Sequence, residues 1–292
     1  MRLLALAIVA AASVFPIREV RAQPSSSFPA IGEEYEISRS YETSHRGSNG
    51  SSGNSRGRNA ILERVIGVRE TGVELEYDLP RDATPQDRKR EWQFPVRILK
   101  SRAGTMQLLN GRELEMRLGA WLKAAKLTRA ACGRIIFTWN AFQIECDPEA
   151  VIGTIQSFDI TSADLREGAA YQDAEARSPG TLARRASGLT GATFFTLMQI
   201  EPKAVRHAQA EADVAVGEIT GKPITLAAAL REREGDAISG TIAVTFEVDA
   251  SGNARRWTKT TKLEIKRPDS SSESRTATEI VERRLLSAST TR

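Results

Sequence analysis

The chain has 292 residues, 27% of them charged and 40% hydrophobic, with 41 basic against 37 acidic side chains. So small a basic surplus leaves no electrostatic footprint for nucleic acid or an anionic membrane, and the length suffices for one large domain or two. Two cysteines and two histidines supply little material for metal clusters or histidine-dependent catalysis.

Residues 1–22 carry Arg2, an apolar run to Phe15, a break at Pro16 and Val20-Arg21-Ala22 before Gln23, the parts of a cleavable secretory signal. The run is shorter than the roughly 20 residues that span a bilayer. Cleavage after Ala22 removes three basic residues and one acidic one, leaving 38 basic to 36 acidic and a net charge of +2. Arginine outnumbers lysine by 32 to 9, the bias of a GC-rich genome, so the expected product is a soluble bacterial envelope protein, periplasmic or secreted. No transmembrane segment is expected after signal removal, and no nucleic acid as partner.

Residues 23–31 read as a tether. From Gly32 the pattern has period two: Tyr35, Ile37 and Tyr41 alternate with Glu34, Glu36, Ser38 and Glu42, which predicts a half-buried strand. Residues 47–58, almost all Gly, Ser, Asn and Arg, read as a mobile loop, followed by a strand over 60–68. Val73, Leu75, Tyr77 and Leu79 give the cleanest alternation in the chain. Residues 79–91 read as a charged loop. Phe94, Val96 and Ile98 mark a strand in which Pro95 argues for an edge or a bulge, and residues 105–109 follow after a turn. Asn110 and Glu113 then have capping spacing for a helix over 112–127, with Leu114, Leu118, Trp121, Leu122 and Ala125 on one face.

A short helix is expected over 148–156. The segment 159–191 has no strong period and reads as the boundary between two lobes. Beyond it come a strand over 192–200, a helix opened by Glu201-Pro202 with Val205, Ala208, Ala212, Ala215 and Val216 as its apolar stripe, and a shorter helix capped by Thr225. Ile242, Val244, Phe246 and Val248 then alternate up to a turn at 249–253, and Trp257, Leu263 and Ile265 return, the strongest hairpin pattern present. Residues 266–275 read as a polar linker, and Thr276 with Glu279 as the capping box of a terminal helix. The predicted organisation is thus a signal peptide at 1–22, a β-rich lobe at 32–160, a connecting segment at 161–191, a second α+β lobe at 192–266 and a polar tail with a short helix at 267–292. The fold class is α+β: an antiparallel sheet, curved like a half-open barrel, with inserted helices packed on one face.

Cys132 and Cys146 lie symmetrically about Trp139. In a hairpin centred there Phe137 faces Ala141, Ile136 faces Phe142 and Cys132 faces Cys146, with Thr138-Trp139-Asn140 as the tip. Facing cysteines in an oxidising compartment predict a disulfide. Trp139, held at a rigid tip, is the one candidate contact residue for a ligand or partner.

Gly53-Asn54-Ser55-Arg56-Gly57 spells a hydrolase elbow, but that motif needs a strand-to-helix turn and a histidine, and this copy lies in a Gly/Ser tract. His45 borders the same tract and His207 lies off its helix's apolar stripe, so both read as solvated. No spacing suits a metal, and no cofactor or catalytic residue is expected. The leading reading is a non-catalytic binding protein for an apolar, lipid-like ligand or an envelope protein, similar in outline to half-open barrels that carry lipids across the periplasm. Two other readings stand beside it: a carboxylate-based hydrolase of envelope polymers, and an assembly factor docking through its Gly/Ser loop and terminal helix.

Overall fold

The computed structural model describes residues 29–137, 141–187 and 191–287. The predicted signal peptide and the hairpin tip with Trp139 lie outside the described residues.

The strands are β1 (Glu34–Gly47), β2 (Ser52–Arg69), β3 (Gly72–Asp78), β4 (Val96–Ser101), β5 (Met106–Leu108), β6 (Ile135–Phe137), β7 (Ala141–Gln143), β8 (Ala170–Tyr171), β9 (Gly180–Thr181), β10 (Ala183–Ser187), β11 (Gly191–Gln199), β12 (Ala237–Val248), β13 (Ala254–Lys266) and β14 (Ser272–Ser287). Between them stand α1 (Pro85–Arg90), α2 (Gly111–Ala124), α3 (Val151–Gln156), α4 (Pro202–Thr220) and α5 (Leu226–Glu232). Ten strands form one open, antiparallel sheet in the order β10-β11-β12-β13-β14-β1-β2-β3-β4-β5. The first five strands form a meander running outward from the centre, and β10–β14 form another running inward. The meanders meet where β14 pairs with β1 along its length, Tyr41 opposite Glu279 and Arg39 opposite Val281. Strands from both predicted lobes therefore share one sheet, and the segment between them contributes Ala176 and Leu182 to the common core.

Period two separates the faces of the sheet. Ile37, Ile61, Val65, Leu75, Tyr77, Ile98, Val281, Ile265, Ile242 and Phe246 are buried, and Leu114, Leu118 and Leu122 of α2, Val151 and Ile155 of α3 and Val205 of α4 join the same core. Between them on the strands, the opposite side carries ion pairs: Glu36 with Arg284 at 3.2 Å, Glu76 with Arg97 at 3.3 Å and with Arg64 at 3.4 Å. Such exposed pairs add little stability each, but they keep that face solvated.

Two expectations need correction. Residues 52–58 are not a mobile loop: they are the first half of β2, and only Ser48 to Ser51 turn the hairpin. Glycine weakens a strand, but Gly53 and Gly57 lie opposite His45 and Tyr41 of β1. A Cβ on Gly53 would stand 2.4 Å from the His45 ring, and one on Gly57 would stand 2.5 Å from the Tyr41 ring. The rings lie across the bare glycines and restore the cross-strand packing that the tract lacks. The tail is likewise no linker and helix but β14, a central strand.

Elsewhere the local chemistry determined the outcome. α2 buries Leu114, Leu118 and Leu122 as its spacing predicts, but Asn110 does not cap it through its side chain: its Oδ1 accepts from Arg97 N and its amide donates to Glu113. Thr225 accepts from Ala228 N at the start of α5, Glu201 from Lys203 N at α4, and the β12–β13 hairpin turns at Asp249 to Asn253. Pro95 falls just before β4, so it costs the ladder nothing. The charged stretch before it holds a helix the composition hid, α1, capped reciprocally by Thr84 and Asp87.

Cys132 and Cys146 are joined in a disulfide with Cα atoms 5.6 Å apart. β6 and β7 pair as Ile135↔Gln143, Ile136↔Phe142 and Phe137↔Ala141, the register that symmetry about Trp139 predicts. The bridge spans 14 residues, a loop whose closure stabilises by about 3 kcal/mol in the chain-entropy model. Replacing both cysteines by serine is expected to lower unfolding stability by up to about that much, and equal denaturation midpoints for variant and parent would contradict it.

Candidate functional site

Two of the clefts among the described residues lie beside inward positions of the sheet. The first, of about 420 Å³, lies between α4 and the inward positions of β13, β14 and β1. It exists because the facing positions are small: Ala208 and Ala212 on the helix stand against Thr261, Ala277 and Thr43 on the strands. Ile200, Val205 and Leu263 add apolar wall. Gly240, the cross-strand partner of Leu263, makes room for that wall, since a Cβ there would lie 2.7 Å from Ile200 Cδ1.

Charged side chains ring this apolar floor. Lys259, only 13% exposed, donates to Asp173 at 3.0 Å and to Glu175 at 2.8 Å. Burial alone would lower the Lys259 pKa, but these carboxylates outweigh it and hold the ammonium charged beyond the usual lysine range. Arg39 donates to Glu279, Arg233 clamps Asp213 through two nitrogens, and Arg267 and Arg275 both donate to Glu273.

The second cleft, of about 480 Å³, opens beside β4 and β14. Its polar wall is a buried network. Arg283 donates through Nε and a terminal nitrogen to Glu63 Oε1, at 3.0 and 2.7 Å, and Tyr77 donates its hydroxyl to Glu63 Oε2 at 2.9 Å. The Arg283 guanidinium also stacks on the Tyr35 ring, 3.2 Å from its centre. Burial, then the neighbouring Glu63 charge, pushes the Tyr77 pKa far up. Nearby, Lys100 reaches Asp159 and Thr161, both at 2.6 Å.

Asp159 and Lys100, with Asp173 and Lys259, have a common geometry. Each aspartate accepts from the backbone two residues on, Thr161 N or Glu175 N, and each pairs with a lysine from a different half of the sheet. The segment from Phe158 to Leu182 is thereby strapped to both meanders, with Tyr171 edge-on to Phe246 along its course. Burial raises the Asp159 pKa, yet Lys100 and the Ser162 and Thr161 hydrogen bonds outweigh it and hold it below the ordinary carboxylate value. A depressed folded pKa stabilises above the unfolded value near about 4 and is lost as pH falls through the folded one. Stability is therefore expected to fall below about pH 4, and Asp159→Asn to flatten that acid limb. Identical pH profiles for parent and variant in urea denaturation would contradict the assignment.

Three sequence expectations meet the geometry here. The serine of the G-x-S-x-G spelling, Ser55, lies in a regular antiparallel ladder opposite Thr43, without the strand-to-helix turn the elbow needs. His45 lies over Gly53, and His207 sits exposed on α4 beside Glu211 at 3.5 Å. Asp159 and Glu273 are held ionised by Lys100 and by Arg275 with Arg267, the reverse of the raised pKa a general acid needs. Sequence reading missed the clefts, because the residues of each come from six separated stretches. The one available trace was the alanine-rich stripe predicted for α4, and the structure corrects it: Ala208, Ala212 and Val216 are exposed, and the helix buries Val205, Ala210 and Gly217. Among the described residues no group of three His, Cys, Asp or Glu is placed to hold a metal, and no helix is long and apolar enough to cross a membrane.

No protein-family model and no curated protein matches the sequence. Among solved structures the chain is similar to one described as lipid-protein interactions in lipovitellin, with a TM-score of 0.40 and 9% identity. That alignment covers 90% of this chain and 26% of the other, so the chain spans about a quarter of that protein's length. It is also similar to Ail, the attachment invasion locus protein of Yersinia pestis, with a TM-score of 0.15, 6% identity and coverage of 87% and 99%. At these scores neither likeness establishes a shared fold.

Proposed function

We propose that this chain is an exported, non-catalytic binding protein that takes a slender apolar chain with a polar end into the cleft between α4 and β13–β14. The observation that carries the reading is the facing set of small side chains, Ala208 and Ala212 against Thr43, Thr261 and Ala277, over an apolar wall of Ile200, Val205 and Leu263. The cleft is open to solvent, with Ala208 and Ala212 exposed on α4, so an apolar chain seated there would remove apolar surface from water. The volume falls within the range of about 300–1,000 Å³ typical of small-molecule sites, and an apolar floor with a few placed charges is their usual lining. In this reading the helices all lie on the inner face of a curved sheet, and the ion-paired face is left to water. The leader and the disulfide support export to the periplasm or beyond.

Organic extraction of the purified protein followed by mass spectrometry is expected to recover an amphiphile. Filling the cleft with Ala212→Phe or Ala277→Leu is expected to abolish that recovery. Both variants should unfold within about 1–3 kcal/mol of the parent, the usual cost of overpacking, and less where the side chain enters open space. Repeated recovery of parent protein without any amphiphile, or equal loading of the filled variants, would overturn the reading.

A further inference from the structure

We propose that the chain held in this cleft ends in an anion, a carboxylate or a phosphate, gripped by Arg267 and Arg275. The inference rests on the cleft reading and deepens it.

Charge is spread unevenly around the apolar floor. On the Lys259 side, Lys259 and Arg39 face Asp173, Glu175 and Glu279, two cations to three carboxylates. On the other side Arg267 and Arg275 converge on Glu273 alone, at 3.0 and 2.8 Å, two guanidiniums to one carboxylate. Strand register separates the poles: Lys259 faces Glu279, whereas Arg275 faces Leu263 and Glu273 faces Ile265. Four residues of β13 part Lys259 from Leu263, about 13 Å at the rise of a strand. The arginine pole thus borders the apolar wall directly, since Leu263 is the cross-strand neighbour of Arg275.

Glu273 is 15% exposed, and each of its oxygens already accepts from one guanidinium. Each arginine carries five donors in a planar fork and gives one to Glu273, so donors remain for a second anion. A fork of this kind matches carboxylate or phosphate through paired, charge-assisted bonds, whereas an alcohol offers one neutral acceptor and an ammonium none.

The test is calorimetric titration of the full-length protein with four probes of equal chain length, each below its micelle concentration: dodecanoate, dodecyl phosphate, dodecanol and dodecylamine. Either anion is expected to bind at least tenfold more tightly than the alcohol, and added salt should weaken only the anions. The tighter of the two anions names the source, a free fatty acid or a phospholipid head. R267Q/R275Q is expected to abolish the preference for anion over alcohol. Glu273→Gln, which removes the competing carboxylate, should strengthen anion binding. These are surface pairs of small energetic weight, so the variants are expected to fold. Equal affinity for anion and alcohol, tightest binding of the amine, or an unchanged anion preference in R267Q/R275Q would overturn this inference and leave the cleft reading standing. Failure of all four probes to bind would overturn the cleft reading itself.

Discussion

A chain ending after Pro268 is expected not to fold. Its missing residues would be β14, which lies between β13 and β1 and supplies the hydrogen-bonded contact between the two meanders. Without it, two long strands expose their backbone edges, and fully buried Ile265 and Ile37 lose Val281, itself fully buried, from the core they share. Each lost ladder bond is worth about 0.5–1.5 kcal/mol net. Over a strand of 16 residues paired on both sides, the loss exceeds the about 5–15 kcal/mol that stabilises a whole domain. The single-residue form of the experiment is Thr278→Pro. It places a ring without an N–H opposite Glu42 and Thr260 in the middle of the sheet, where proline is essentially excluded. A loss of 3 kcal/mol or more is expected. A truncated chain with parental circular dichroism and a cooperative unfolding transition would show that β14 is peripheral.

Glu63→Leu is expected to destabilise by about 3–5 kcal/mol, the cost of leaving a buried charge without its partner. Glu63 and Arg283 are 9% and 13% exposed and join strands from opposite ends of the chain, with the Tyr77 hydroxyl completing the carboxylate's shell. The mutation strands a guanidinium whose remaining neighbour is the Tyr35 ring, and leaves the Tyr77 hydroxyl without an acceptor. Removing both charges should behave differently. Glu63→Leu with Arg283→Met and Tyr77→Phe is expected to recover most of the loss, because desolvation of the ions nearly cancels their attraction. Urea denaturation of the single and triple variants checks this. A triple variant less stable than Glu63→Leu would mean that the network contributes strong net stabilisation.

Two strands that escaped sequence reading, β14 and the first half of β2, share one physical cause. Period two in hydrophobicity marks a strand only where one face meets a dry core. In β14 the inward positions are Glu273, Arg275, Ala277, Glu279, Val281 and Arg283, and all but Val281 and Ala277 are charged, since they line the clefts or salt-bridge across them. Read along the chain, Thr276 with Glu279 then mimics a capping box, although the two lie on opposite faces of the strand. In the first half of β2 two inward positions, Gly53 and Gly57, are glycines whose packing comes from His45 and Tyr41 on the neighbouring strand, and the others are Ser55 and Asn59. Neither pattern contains its partner.

What the sequence determined by itself were the elements whose stabilising contacts are local or face one core. Alternation over Val73 to Leu79 and over Ile242 to Val248, caps at Thr225 and Glu201, and symmetry about residue 139 suffice to specify β3, β12, α5, α4 and the register of the disulfide hairpin. The tertiary structure alone decided which strands meet at the centre and where space is left. Pairing of β14 with β1 joins residues more than 220 apart, and the cleft depends on small side chains from α4, β1, β13 and β14 coming face to face. Pairings at that separation leave no mark in the chain, because period two records which face of a strand is buried and is the same whichever strand lies beside it.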